Sequence, residues 1–251
     1  MSSHPKLLLL HGWTLDHSSM QAQQEMLSAH FHTINLDRPG YGANKTPPNL
    51  PDEHRYWLDY LNTSFGDEPV HLLGVSQGAR IALRMAATAP NRIASVVVHG
   101  AAVDGLQSPK RVQPIPLDQF VMQAKLGELE HMRQAWLNHP MMREGLTPVQ
   151  HRQIESIVSR YEGNDLLNAA GHDFTFATDL IAKLTTFQGP VLVSTGSLEA
   201  PERIFHAQWL RDNLKAVEYR SISGAGHLAN FSHAEEYNRL VLEFYRSQGL
   251  I

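Results

Sequence analysis

Short apolar runs alternate along this chain with segments of helical periodicity, and that alternation restricts the fold more than any other feature. The runs occupy residues 6–10, 33–36, 70–75, 95–99, 190–195 and 216–222, bounded by turn formers such as Gly, Pro and Asp. Helical patterns fill residues 18–29, 54–61, 77–88, 202–213 and 234–246. Strand and helix in turn predict β-α units and a mostly parallel central sheet of about six strands flanked by helices. Ala89-Pro90 ends the third helix, because proline cannot continue it and biases the preceding residue away from helical angles. A length of 251 residues with 42% hydrophobic composition allows one large core.

The rhythm breaks after Gly105 and resumes near Thr186. In between, apolar residues recur three and four apart around Phe120, Val121, Met132 and Trp136, and again at Ile154, Ile157, Val158 and Tyr161. Pro114, Pro116, Pro140, Pro148 and Gly163 punctuate them. We read residues 105–186 as a helical cap inserted after the fourth predicted strand, with residues 1–104 and 187–251 as the two parts of an α/β core.

Several function classes fall away. The 21 basic and 25 acidic residues are mixed along the chain, with no Lys/Arg-rich run to follow a phosphate backbone or an anionic bilayer. Neither nucleic acid nor membrane is expected as a partner. Cysteine is absent, so covalent chemistry needs Ser, Thr, Lys or a carboxylate. No stretch approaches the roughly 20 apolar residues of a membrane span, and residues 7–10 are too short for a signal-peptide core, which makes the cytoplasm the default location. The 15 histidines show no metal-ligand spacing, and no cofactor or metal is expected.

Gly74-Val75-Ser76-Gln77-Gly78 fits G-x-S-x-G and has the context that pattern requires, a buried strand before it and a helix after it. Ser76 is the candidate nucleophile. A serine hydroxyl needs a base oriented by a third group, and in this arrangement the acid and then the histidine follow the serine along the chain. His227, in Gly224-Ala225-Gly226-His227, lies just beyond the last predicted strand, on the same sheet edge as Ser76. The favoured acid is Glu199, in the loop after residues 190–195, with Asp104, past residues 95–99, as the alternative. Attack on a carbonyl puts negative charge on oxygen, and N–H donors must meet it. The candidate donors are the backbone amides of Gln77 and of Trp13, in Leu10-His11-Gly12-Trp13. The Trp13 side chain either lines the pocket or packs.

His11-Gly12-Trp13, Asp37-Arg38-Pro39-Gly40-Tyr41-Gly42, Gly74–Gly78 and Gly224–His227 resemble the α/β-hydrolase superfamily in order and spacing. The resemblance makes Asp37–Gly42 a structural turn and Arg38 a framework residue. Family members commonly open with an antiparallel hairpin that this chain lacks, so the sheet is expected to be short by about two strands. A glutamate where an aspartate is usual leaves the acid open. Ser76-Gln77-Gly78-Ala79-Arg80, Trp136 and Arg160 are also similar to the 2-succinyl-6-hydroxy-2,4-cyclohexadiene-1-carboxylate synthases of menaquinone biosynthesis, in which arginines hold carboxylates. That similarity makes Arg80 and Arg160 candidate substrate ligands beside Trp13 and Trp136, although Arg80 also reads as a solvated helix residue.

The same fold and triad serve several chemistries. The leading expectation is a serine hydrolase acting on a small carboxylic ester or lactone. The alternatives are a triad-dependent lyase of the menaquinone type, a C–C bond hydrolase, and a ligand-binding protein without catalysis. Candidates for substrate selection are Phe120, Met122, Met132, Trp136, Met141 and Met142, although most of the methionines read as helix-packing residues, with Arg111, Arg133, Arg143 and Arg160 as candidate anion partners.

Overall fold

The computed structural model describes residues 4–108, 114–173 and 179–251; Arg111 lies outside them. Six parallel strands form one sheet: β1 (Lys6–Leu10), β2 (His32–Asn35), β3 (Val70–Val75), β4 (Ile93–His99), β5 (Val191–Gly196) and β6 (Val217–Ile222). Their spatial order is β2-β1-β3-β4-β5-β6. The chain therefore steps one way from β1 to β2 and the other way from β3 onward. A crevice opens at the carboxyl ends of β1 and β3, where the direction reverses, and ligands of such sheets bind there. The loops that leave those two strands carry Gly12-Trp13 and Ser76.

The interior strands are apolar on both faces because helices cover both, while the edge strand β6 is mostly half-exposed or exposed. Successive side chains go to opposite layers. Leu8, Leu10, Leu72, Val96 and Val98 meet α2 (Glu53–Phe65), α3 (Gln77–Thr88) and α10 (Pro201–Asn213) through Trp57, Ile81, Met85 and Leu210. Leu7, Leu9, Leu73 and Val97 meet α1 (Gln21–Leu27) and α12 (Ala234–Ser247) through Leu27, Val241 and Phe244.

Between β4 and β5 the described residues form α4 (Leu117–Lys125), α5 (Leu129–Leu137), α6 (Pro140–Arg143), α7 (Pro148–Val158), α8 (Asn164–Leu167) and α9 (Leu180–Leu184). Phe120, Met132, Trp136, Ile154, Val158 and Leu166 make a third apolar cluster that closes on Leu15, Tyr41 and Leu228 of the sheet loops. One short helix remains, α11 (Ala229–Ser232). No described helix is long and apolar enough to cross a membrane.

Two predicted helices have different ends. Residues 18–29 divide into a 3-10 turn at His17–Met20 and α1, because the Asp16 carboxylate accepts the Ser18 N–H and starts the turn one residue early. The helix predicted at 54–61 continues to Phe65, where Gly66 at φ 65° stops it.

Three histidines are buried in or beside the sheet. His71 Nδ1 pairs with Ser95 Oγ at 2.8 Å, and His99 Nδ1 with Ser194 Oγ at 2.9 Å. His11 Nδ1 donates to the Gly12 carbonyl while its Nε2 accepts the Arg38 N–H at 3.0 Å. Burial pushes His11 down to about 3, with Arg38 helping, and His71 and His99 down to about 4. The unfolded chain gains these protons near pH 6.5, whereas the folded chain refuses them until about pH 4 or 3, so stability falls as the pH drops through that window. Each histidine contributes a slope of up to about 1.4 kcal/mol per pH unit. Urea unfolding should show a clearly lower midpoint at pH 5 than at pH 7, and His71→Gln should flatten that dependence; equal midpoints would contradict the assignment.

Candidate active site

Ser76 stands between β3 and α3 at φ 56°, a left-handed conformation rare for a residue with a side chain. The turn is held from both sides: the Ser76 N–H donates to the His99 carbonyl at 2.8 Å, and the Arg80 N–H to the Ser76 carbonyl at 3.1 Å. Both motif glycines are required by contact. A Cβ on Gly74 would lie 2.5 Å from the Gly78 carbonyl oxygen, and one on Gly78 would lie 2.1 Å from that of Leu10. The second approach brings α3 against the end of β1, so Gly12 comes to face Ser76, its ideal Cβ 3.5 Å from the serine Cβ.

His227 follows β6 and Glu199 follows β5. Both are buried, and His227 Nδ1 lies 2.8 Å from Glu199 Oε2. The other glutamate oxygen accepts the Ala200 N–H at 2.9 Å. Burial alone would raise the Glu199 carboxyl, but the neighbouring His227 outweighs it and holds the group below its usual range. His227 Nε2 is buried with no hydrogen-bond partner among the described residues, and His227 shares a cavity wall with Ser76.

Asp104, the other candidate acid, is paired with two arginines of α3. One of its oxygens lies 2.9 Å from Arg80 Nε and the other is bound by Arg84. Arg80 is thus no solvated helix residue: it is mostly buried, and burial pulls it down to about 10, with Asp104 opposing. It lines the cavity together with Asp104. Arg160 does not reach the cavity; it is half-exposed and pairs with Asp16 at 2.7 Å. The loosely similar helical sequence that carried its prediction does not fix the direction of a side chain beyond the end of α7.

Trp13 and Trp136 both line the cavity, with rings 5.0 Å apart, as do Met141 and Met142. Met132 and Phe120 are packed inside the helical cluster, and Met122 is exposed. Arg133 is spent on the Tyr161 carbonyl, and Arg143 reaches Asn138. The cavity measures about 560 Å³. Its apolar side is Leu15, Ile115, Leu117 and Leu228 with the two indoles; its polar side is Arg80, Asp104, Glu202, Arg203 and His206. As the turn reading requires, Arg38 is a framework residue: it is buried in a two-point pair with Glu53 at 2.7 and 2.8 Å.

Sequence reasoning missed two features. Gly100, at φ 59°, leaves space for His227 and Glu199, since a Cβ there would sit 2.7 Å from His227 Nδ1 and 3.0 Å from Glu199 Oε2. Asp165, buried in α8, accepts from the Trp13 indole at 2.6 Å. Neither belongs to a local pattern. Asp16, His17 and Asp37 bring ligand atoms within 4.8 Å of one another, but their carboxylates already serve Arg160, Ser18 and the His17 and Ala43 N–H groups.

Comparison with known proteins gives the family. The chain is 25% identical over 252 residues to a pimeloyl-[acyl-carrier protein] methyl ester esterase of Aromatoleum aromaticum, covering 97% of this chain and 99% of the relative. It is 25% identical over 232 residues to a 2-hydroxy-6-oxononadienedioate/2-hydroxy-6-oxononatrienedioate hydrolase of Pseudomonas putida, covering 88% and 79%. Among solved structures, MenH from S. aureus superposes with a TM-score of 0.82 at 18% identity, over 99% of this chain and 96% of the other. The profile of the alpha/beta hydrolase fold matches residues 5–234, and the chain belongs to that family.

Proposed function

We propose that the protein is a serine hydrolase that cleaves a small carboxylic ester or lactone through an acyl-enzyme on Ser76. One observation carries the reading: a buried imidazole is paired on Nδ1 with a carboxylate, and its unpaired Nε2 belongs to a residue that shares a cavity with a serine on a left-handed turn. His227 Nε2 takes the Ser76 proton as Oγ attacks the carbonyl carbon. Glu199 fixes the tautomer and stabilises the imidazolium. The N–H groups of Trp13 and Gln77 receive the charge that develops on the carbonyl oxygen.

Collapse of the tetrahedral adduct breaks the bond to the leaving alkoxide, which takes the proton from His227. Water, deprotonated by the same base, then attacks the acyl-enzyme and releases the acid and Ser76. The segment 105–186 acts as a cap whose Trp136, Met141 and Met142 form the apolar wall for the acyl group. A cavity of about 560 Å³ suits a small molecule. The methyl ester esterase among the relatives supports this choice. Hydrolysis of a C–C bond is the second reading, favoured by the relative from Pseudomonas putida.

A fluorophosphonate probe should label the native protein at Ser76 and leave Ser76→Ala unlabelled; equal labelling of both would sink the proposal. A panel of p-nitrophenyl esters, lactones and C–C substrates should show turnover first on short esters. Glu199→Gln should lower kcat by orders of magnitude, up to about 10⁴-fold, by removing the acceptor that sets the imidazole tautomer. Turnover close to normal in that variant would transfer the acid role to Asp104.

A further inference from the structure

The loop after β1 contains a second strained residue. Thr14 has φ 61°, and a β-branched residue keeps that conformation only where its surroundings fix it. Two contacts do so, and both come from the segment between β4 and β5. Trp136 Nε1 donates to Thr14 Oγ1 at 2.9 Å, and that hydroxyl donates to the Trp13 carbonyl at 2.7 Å. Trp13 Nε1 donates to Asp165 Oδ2 at 2.6 Å.

The Asp165 carboxylate also accepts from two tyrosines, Tyr161 on Oδ1 and Tyr41 on Oδ2, the latter at 3.1 Å. The Tyr41 hydroxyl also lies 3.2 Å from Gln77 Oε1. Its single proton goes to the stronger acceptor, the carboxylate, and an exchange of the Gln77 amide oxygen and nitrogen would let the phenol oxygen accept from the NH₂ group.

We infer that Asp165 is a positioning residue for the oxyanion hole: one buried carboxylate, reaching Trp13 directly and Gln77 through Tyr41, sets both residues whose backbone N–H groups flank Ser76. The inference rests on the hydrolase reading above. Only a carboxylate fits the place. An indole N–H and two phenols converge on it as donors, and an asparagine would offer one acceptor oxygen and turn its own N–H groups toward them.

Contacts to the oxyanion strengthen in the transition state, so displaced donors lower kcat and leave KM largely alone. On a p-nitrophenyl ester, Asp165→Asn should lose roughly 10- to 100-fold in kcat, within the range for an impaired oxyanion donor, with KM changed less than about threefold. Affinity for a trifluoromethyl ketone, which becomes an oxyanion when a serine adds to it, should fall by a similar factor. Trp13→Phe keeps the amide and deletes the indole N–H; it should show a smaller loss of the same kind, and adding it to Asp165→Asn should cost little more.

An unchanged kcat in Asp165→Asn, or a raised KM with kcat intact, would overturn the role. If Asp165→Asn does not fold, as judged by near-ultraviolet circular dichroism, Trp13→Phe decides by the same readouts. Probe labelling of the native protein separates the two levels. No label at Ser76 overturns the hydrolase reading itself, whereas normal labelling with unaltered kinetics in the variants overturns only the part given to Asp165.

Discussion

A side chain at φ 56° between a strand and a helix costs on the order of 1–3 kcal/mol, and it persists only if the neighbouring backbone leaves it no alternative. At Ser76 the neighbours are the ends of three strands. β3 enters the turn, the His99 carbonyl at the end of β4 takes the serine N–H, and the Leu10 carbonyl at the end of β1 lies where a Cβ of Gly78 would be. These contacts require β1, β3 and β4 to be adjacent and parallel, as their registers show. The central strands are thereby tied to the turn, and the apolar layers on both faces of the sheet supply the burial that offsets its strain. Sheet order and nucleophile geometry are one constraint seen at two scales.

The same economy governs the charges. A buried carboxylate is costly unless paired and hydrogen-bonded, and four of them have their own partners. Glu53 has Arg38, Asp104 has Arg80 and Arg84, Asp165 has three neutral donors, and Glu199 has His227 with the Ala200 N–H. Asp104 sits on the same sheet edge as Ser76 and His227, yet two guanidinium groups hold its oxygens and turn them toward α3. Glu199 is paired instead with His227 and the Ala200 N–H. Its extra methylene is accommodated because Gly100 has no side chain at the point where Glu199 and His227 meet.

These particulars mark what a sequence can disclose. Gly74–Gly78 was legible because the strand, the turn and the helix that it needs are contiguous, and α3 begins and ends where periodicity and Pro90 place it. His227 was legible from its position after the last strand. That Glu199 lies beside His227 while Asp104 lies against Arg80 and Arg84, one and two helical turns past the serine, turns on side-chain directions that no pattern reveals. Arg160 was misjudged for the same reason: its partner Asp16 lies 144 residues away. Asp165 was invisible because its three donors come from Trp13, Tyr41 and Tyr161, and only the folded chain assembles them. Helix limits failed where a side chain intervened, as at Asp16, or where a glycine delayed the stop, as at Gly66.

The inserted helices bear on the site in a second way, which links specificity to geometry. Gly145, in the turn after α6, meets the histidine loop backbone to backbone: a Cβ on it would lie 2.4 Å from the Gly226 nitrogen, and one on Gly226 would lie 2.1 Å from the Glu144 carbonyl oxygen. On the opposite side Trp136 and Asp165 grip Trp13 and Thr14. One segment therefore supplies the apolar wall and also presses on both loops that flank the serine. Packing of this density transmits small shifts instead of absorbing them, because an interior has few voids into which a displaced side chain can relax. A change in Trp136 or Met142 that enlarges the cavity will move the Trp13 turn or the His227 loop with it. Ser76 and His227 then keep their present relation only when Asp165 and the Gly145–Gly226 contact keep their places.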